Sequence, residues 1–220
     1  MHGCVSTNDA DEPMSDTTLP PQMFARQDES DDEHFYVEPR FVTHIDDATI
    51  DAITQYYREV IPAEADVLDL MSSWISHLPP EVGYTRVEGL GMNEAELARN
   101  ERLTGYRVQN LNREPALPYE DASFDAALIA VSVQYLTRPT EVFAEIGRVL
   151  KPGGRCIVAM SHRLFPTKAI YAFHVLPPAD RCRLVGAYMH GGGTIADVEA
   201  LDRSPDNADP LWIVTGTVPA

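Results

Sequence analysis

Apolar residues recur along this chain with two periods, and the periods alternate. Ile50, Ile53, Tyr57 and Val60 or Ile61 fall at helical spacing, with Asp46 or Asp47 placed as an N-cap and Pro62 just beyond the last turn. The short run DVLDL (66–70) predicts a first strand, and TRVEGL (85–90) a second. A helix is expected over EAELARNERL (94–103), because Asn93 and Glu96 stand in the capping-box relation. GYRVQNL (105–111) predicts the third strand. FDAALIAVSV (124–133) is nearly continuous in apolar residues, as a parallel strand covered on both faces should be.

In PTEVFAEIGRVL (139–150), Val142, Phe143, Ile146, Val149 and Leu150 form one helical stripe. KPGG stops it, since Pro152 cannot extend a helix and the glycines supply a turn. RCIVAMSH (155–162) predicts a fifth strand, followed by helical patches in PTKAIYAFHVL and ADRCRLVGAYMH and a flexible break at glycines 191–193. TIADVEAL and LWIVTGTV read as a closing strand pair. Strands alternating with helices imply an α/β fold with a mostly parallel sheet and helices on both faces, and the closing pair implies an antiparallel edge.

Charge divides the chain. Of a net −17, residues 1–40 carry −8, from ten acids against Arg26 and Arg40. Residues 1–34 lack apolar periodicity, so they are expected to be an acidic, mostly disordered tail that folding does not need, with one domain over 35–220. The acidity argues against nucleic acid, whose phosphates require clustered Lys and Arg, and disfavours an anionic membrane surface. Cys4, Cys156 and Cys182 are odd in number and contain no C-x-x-C, which fits neither a disulfide framework nor a zinc site. The seven His show no ligand spacing, so no metal is expected. Without a membrane-length apolar stretch or a signal-peptide pattern, a cytoplasmic location is the expectation.

Residues 117–160, LPYEDASFDAALIAVSVQYLTRPTEVFAEIGRVLKPGGRCIVAM, change the picture. They resemble the class I S-adenosylmethionine-dependent methyltransferases of the small-molecule type, in the approach LPYEDASFD to the fourth strand and the helix ending RVLKPGG before the fifth. The resemblance runs from about residue 64 to the C-terminus. It implies a Rossmann-like, seven-stranded sheet, S-adenosyl-L-methionine as cofactor and a small-molecule methyl acceptor as partner; it leaves the oligomeric state open.

The cofactor motif after the first strand departs from the family. Asp69 matches the family's acid, but Met71, Ser73 and Ile75 stand where three glycines are usual. Gly91 stands where the second strand normally ends in the acid that holds the ribose hydroxyls, with Glu94 or Glu96 as candidates to reach the same place. On the resemblance, the cofactor would be held by Asp69, Ser72, Ser73 and Trp74 after the first strand and by Met92 and Asn93 after the second. Asn110 and Leu111 fall at the adenine positions, Val131 follows the fourth strand, and Arg40 and His44 would act from a segment folded over the top. An exposed helix N-terminus after the first strand would favour the cofactor's carboxylate.

Catalytic candidates lie after the fourth and fifth strands: Ser132, Gln134, Tyr135, His162 and Arg163, with His162 as the expected base and Tyr135 beside it. Two functions remain open. One is a methyltransferase whose serines replace the glycine turn; the other is a non-catalytic binding or scaffold relative that has lost normal cofactor binding. A dinucleotide dehydrogenase fits poorly, because GLGMNE puts Glu94 in place of a third glycine and follows the wrong strand.

Overall fold

A computed structural model describes residues 19–220. Its sheet has seven strands: β1 (Asp66–Leu70), β2 (Arg86–Gly91), β3 (Gly105–Val108), β4 (Phe124–Ala130), β5 (Leu150–Met160), β6 (Ala196–Asp202) and β7 (Trp212–Thr217). Their order is β3-β2-β1-β4-β5-β7-β6. Strands β1 to β5 pair in parallel, and β7 lies antiparallel to both β5 and β6. The switch point falls between β1 and β4, where the chain turns from building one half of the sheet to the other, and ligands collect at the strand C-termini there.

Helices cover both faces. α2 (Asp47–Val60) is capped by Asp46, whose side chain accepts from the Thr49 N–H at 2.9 Å, and it buries Ile53 and Tyr57 in one core cluster with Val67, Val87 and Leu128. α4 (Pro139–Val149) and α6 (Pro178–Gly191) supply the other cluster, through Phe143, Ile146, Leu184 and Tyr188 against Leu68, Leu70 and Val158.

Several boundaries differ from the sequence pattern. α3 stops at Glu94–Ala98, and the Asn100 side chain is spent on the Ser73 carbonyl and the Ser76 hydroxyl. KPGG is not a free turn but the beginning of β5: Gly153, at φ +78°, donates its N–H to the Val218 carbonyl. The patch 166–176 retains only α5 (Ala172–Val175), because the Ile170 N–H bonds to Gln134 O instead of continuing a helix.

The expected tail needs a larger correction. Its first 18 residues lie outside the described residues, but 19–34 do not trail away. Leu19, Met23 and Phe24 pack on the core, Tyr171 N–H donates to Ala25 O, and Asp28 N–H to Thr167 O. Lys168, with no solvent exposure, donates to Ser30 O at 2.8 Å and pairs with Asp28 at 3.1 Å and Asp32 at 3.2 Å. Arg26 also reaches Asp32, at 2.7 Å. The acids that suggested a solvated run are in part the counterions of a buried lysine. A strap, residues 19–45, including α1 (Asp32–Tyr36), is therefore part of the domain.

Candidate functional site

No helix follows β1. Fifteen residues, 71–85, cross to β2 as an irregular loop, so the expected helix N-terminus is absent. Side chains hold this loop instead of a glycine turn. Asp69 Oδ2 accepts from Ser72 Oγ and from Ser76 Oγ, each at 2.6 Å. Asn100 Nδ2 donates to Ser76 Oγ and to the Ser73 carbonyl at 2.8 and 2.9 Å. Ser73 Oγ donates to Glu96 Oε2 at 2.6 Å, while Glu96 Oε1 accepts the Arg40 backbone N–H at 2.7 Å. Every polar group in this chain of contacts has a partner, the condition under which a buried network rigidifies a loop.

Above the loop lies a cleft of about 380 Å³, in the range of small-molecule sites. The strap closes over it: Asn93 Nδ2 donates to Tyr36 O and Val37 O at 2.9 and 3.1 Å, and Trp74 Nε1 donates to Val42 O at 3.1 Å. The structure brings together at this cleft Arg40 and His44 from the strap, and Asp69, Ser72, Ser73 and Trp74 from β1 and its loop. Met92 and Asn93 line it after β2, Asn110 and Leu111 after β3, and Val131 and Tyr135 after β4. His162 is not among the lining residues. Its imidazole is half exposed and faces Asp209, with Nε2 3.3 Å from Oδ1, because the chain turns after β5 and presents Arg163, Leu164 and Phe165 inward.

Sequence reasoning missed Asp32, Tyr36, Asn112 and Phe165, which also line the cleft. The aromatic pair Phe35–Tyr36 within the acidic run was the available signal. Tyr135 stacks on Phe165 with centroids 5.6 Å apart, and Phe35 and His44 meet the same ring edge-on. The Tyr135 hydroxyl accepts the Phe165 N–H at 2.8 Å, and burial pushes its pKa up, so it is a neutral phenol.

Burial governs the other titrating groups. It pushes the Asp69 carboxyl up to about 6, with the two serine hydroxyls holding it back from rising further. It pushes His77 down to about 4, helped by His44, and lowers His44 as well. Both imidazoles are neutral at pH 7. Backbone strain gathers at the same place: Met71, His77 and Val131, none of them glycine, hold φ of +54°, +53° and +51°. Such conformations persist where surroundings enforce them, commonly at ligand sites.

The residues present suit a cationic nucleoside cofactor with an amino-acid tail. Ser132 Oγ is buried without a hydrogen-bond partner, and Asn110 uses its Oδ1 to accept the Asn112 N–H while its amide N–H groups have no protein partner among the described residues. Arg40 stacks 4.4 Å over Phe35 and bonds to backbone carbonyls, with no carboxylate paired to its guanidinium among the described residues. Together they offer acceptors and donors for a nucleobase and, in Arg40, a positive charge for the carboxylate of an amino-acid end. Among the described residues there is no group of three His, Cys, Asp or Glu arranged to hold a metal, and no helix long and apolar enough to cross a membrane.

Comparison with known proteins gives the same direction. A family model described as a methyltransferase domain matches residues 72–158. The ubiquinone/menaquinone biosynthesis C-methyltransferase UbiE of Dinoroseobacter shibae is 34% identical over 136 residues, 59% of this chain and 48% of that protein. The demethylmenaquinone methyltransferase of Renibacterium salmoninarum is 40% identical over 63 residues, 28% of this chain and 27% of its own. The matches thus span about half or less of these curated relatives. Among solved structures, Haemonchus contortus phosphoethanolamine N-methyltransferase 2 in complex with S-adenosyl-L-methionine aligns with a TM-score of 0.57 at 15% identity, over 77% of this chain and 52% of that one. An S-adenosylmethionine-dependent methyltransferase from Mesorhizobium loti aligns at 0.53 and 19%, over 76% and 99%.

Proposed function

We propose that the chain is a class I S-adenosylmethionine-dependent methyltransferase, moving a methyl group from S-adenosyl-L-methionine to a small, partly apolar acceptor. The observation that carries this is the convergence of the loops after β1, β2, β3 and β4, with the strap, on one cleft lined by Asp69, Glu96, Asn110 and the unpaired Arg40. The cofactor, when bound, supplies a methyl group on a positively charged sulfur. The protein's part is to bind, orient and exclude water, which supplies much of the rate in such transfers.

Tyr135, Phe165 and Leu164 form an apolar wall suited to a flat acceptor ring. The relatives named for ubiquinone and menaquinone biosynthesis support an aromatic or quinol-type acceptor, methylated at carbon. His44 and His77, neutral and lining the cleft, are better placed than His162 to accept a proton from it.

A scaffold without cofactor binding is the second reading, favoured by Met71, Ser73 and Ile75 at the glycine positions and by the missing helix. Calorimetric titration of the full chain with S-adenosylmethionine and S-adenosylhomocysteine separates the two. Saturable binding of both supports the enzyme; no heat of binding at millimolar ligand refutes it.

A further inference from the structure

Gly91 ends β2 where the family resemblance implies a ribose-binding acid, and the structure leaves no room for one. A Cβ at this position would lie 2.2 Å from the Ser72 carbonyl oxygen and 3.2 Å from Leu97 Cδ2. The Ser72 carbonyl is fixed in turn, because the Ser72 N–H donates to Leu90 O at 2.9 Å. The side-chain-held loop has moved into the space that an acid at 91 would occupy.

Three carboxylates line the cleft, and they differ in what already satisfies them. Asp32 is neutralised by Arg26 and Lys168 and also accepts from Asn112. Asp69 lies beneath the loop with two serine hydroxyls on one oxygen. Glu96 is 8% exposed and accepts only one hydroxyl and one backbone N–H among the described residues, with no cationic side chain paired to it. A buried, unneutralised carboxylate is costly unless donors fill its remaining lone pairs. Glu94, the other nearby acid, is exposed and does not line the cleft.

We infer that Glu96, with Ser73 beside it, binds the adjacent ribose hydroxyls of the cofactor, so that this function has passed from the end of β2 to the first turn of α3. The inference rests on the methyl-transfer reading above. Two neighbouring hydroxyls offer two donors to one carboxylate. Ser73, whose proton is already given to Glu96, keeps oxygen lone pairs and can accept one of these two protons in place of a carboxylate oxygen. The Asn93 cap and the Arg40 N–H hold Glu96 in place from both sides.

The test is calorimetry on the full chain with S-adenosylhomocysteine and its 2′-deoxy analogue. The parent should bind the ribose form more tightly, and Glu96→Gln should weaken that form by roughly 10-fold to 100-fold. The deoxy form should change far less, so the gap closes. Ser73→Ala should narrow the gap with a smaller loss, and it serves if Glu96→Gln fails to fold. Equal weakening of both ligands, or of neither, overturns the assignment while leaving the cofactor reading intact. Failure of the parent to bind either ligand overturns both.

Discussion

Asp69→Asn should stabilise the protein at neutral pH while weakening its hold on the cofactor. Asp69 is 3% exposed, and burial raises its carboxyl from 3.8 to about 6 in the folded state. The sign follows from the direction. A carboxyl that binds its proton more tightly when folded favours the fold when protonated, so its contribution is best below about pH 4, falls as pH rises to 6, and stays low above. The displacement corresponds to roughly 3 kcal/mol. Asparagine removes that cost and keeps an oxygen for the Ser72 and Ser76 hydroxyls, but its amide N–H groups need acceptors, which returns about 1 kcal/mol. The net gain is about 2 kcal/mol, or about 4–8 °C in Tm for a domain of this size. Thermal melts of parent and variant from pH 4 to 8 should show the variant slightly the less stable at the acid end, the two curves crossing as pH rises and the variant's advantage reaching its full size above about pH 6. S-adenosylhomocysteine affinity should fall by roughly 10-fold or more, as removal of a charged acceptor implies. A variant no more stable than the parent at pH 8, or one offset equally at every pH, would refute the buried-charge account.

Gly91→Ala should lower Tm by several degrees, since the added methyl meets the fixed Ser72 carbonyl at 2.2 Å; an unchanged melt would show that the loop yields. Deleting residues 1–30 should destabilise by roughly 3 kcal/mol, read in the same melts, because Lys168 loses the Ser30 carbonyl and Asp28 and the core loses Leu19, Met23 and Phe24. Met71→Gly should leave stability within about 1 kcal/mol of the parent, as relief of a φ of +54° offsets lost packing. Ser73→Gly, by contrast, should weaken S-adenosylhomocysteine binding in calorimetry, since the Glu96 contact goes with the hydroxyl.

Much of the fold was legible because apolar period and topology are local and repetitive signals. The stripe Val142–Phe143–Ile146–Val149 and the run FDAALIAVSV specify a helix and a buried strand with little help from elsewhere. The strap was not legible. Asp28 and Asp32 look solvated until Lys168, far along the chain, is folded against them, and no local window contains both partners. The cleft shows the same division. Residues at strand ends, such as Asp69, Asn110 and Val131, could be placed by counting from a motif. Phe165 could not, because its position depends on the turn after β5, which also carried His162 outward. The missing helix after β1 was hidden for another reason: SSWISHLPP has no strong helix period, and the family pattern supplied an expectation that the residues themselves do not support.

The clasp on Lys168 also orders events in time. The lysine lies 140 residues after Asp28 and 138 after Ser30. At a synthesis rate of about 5–20 residues per second, the strap therefore leaves the ribosome roughly 7–28 s before its counterion exists. During that interval Asp28 lacks its lysine and Asp32 has only Arg26 beside it. The Asp28 and Ser30 end of the strap can therefore be clasped only after the residues of β1 to β5 have been made, whereas its Tyr36–Val42 end meets Asn93 and Trp74 much earlier along the chain.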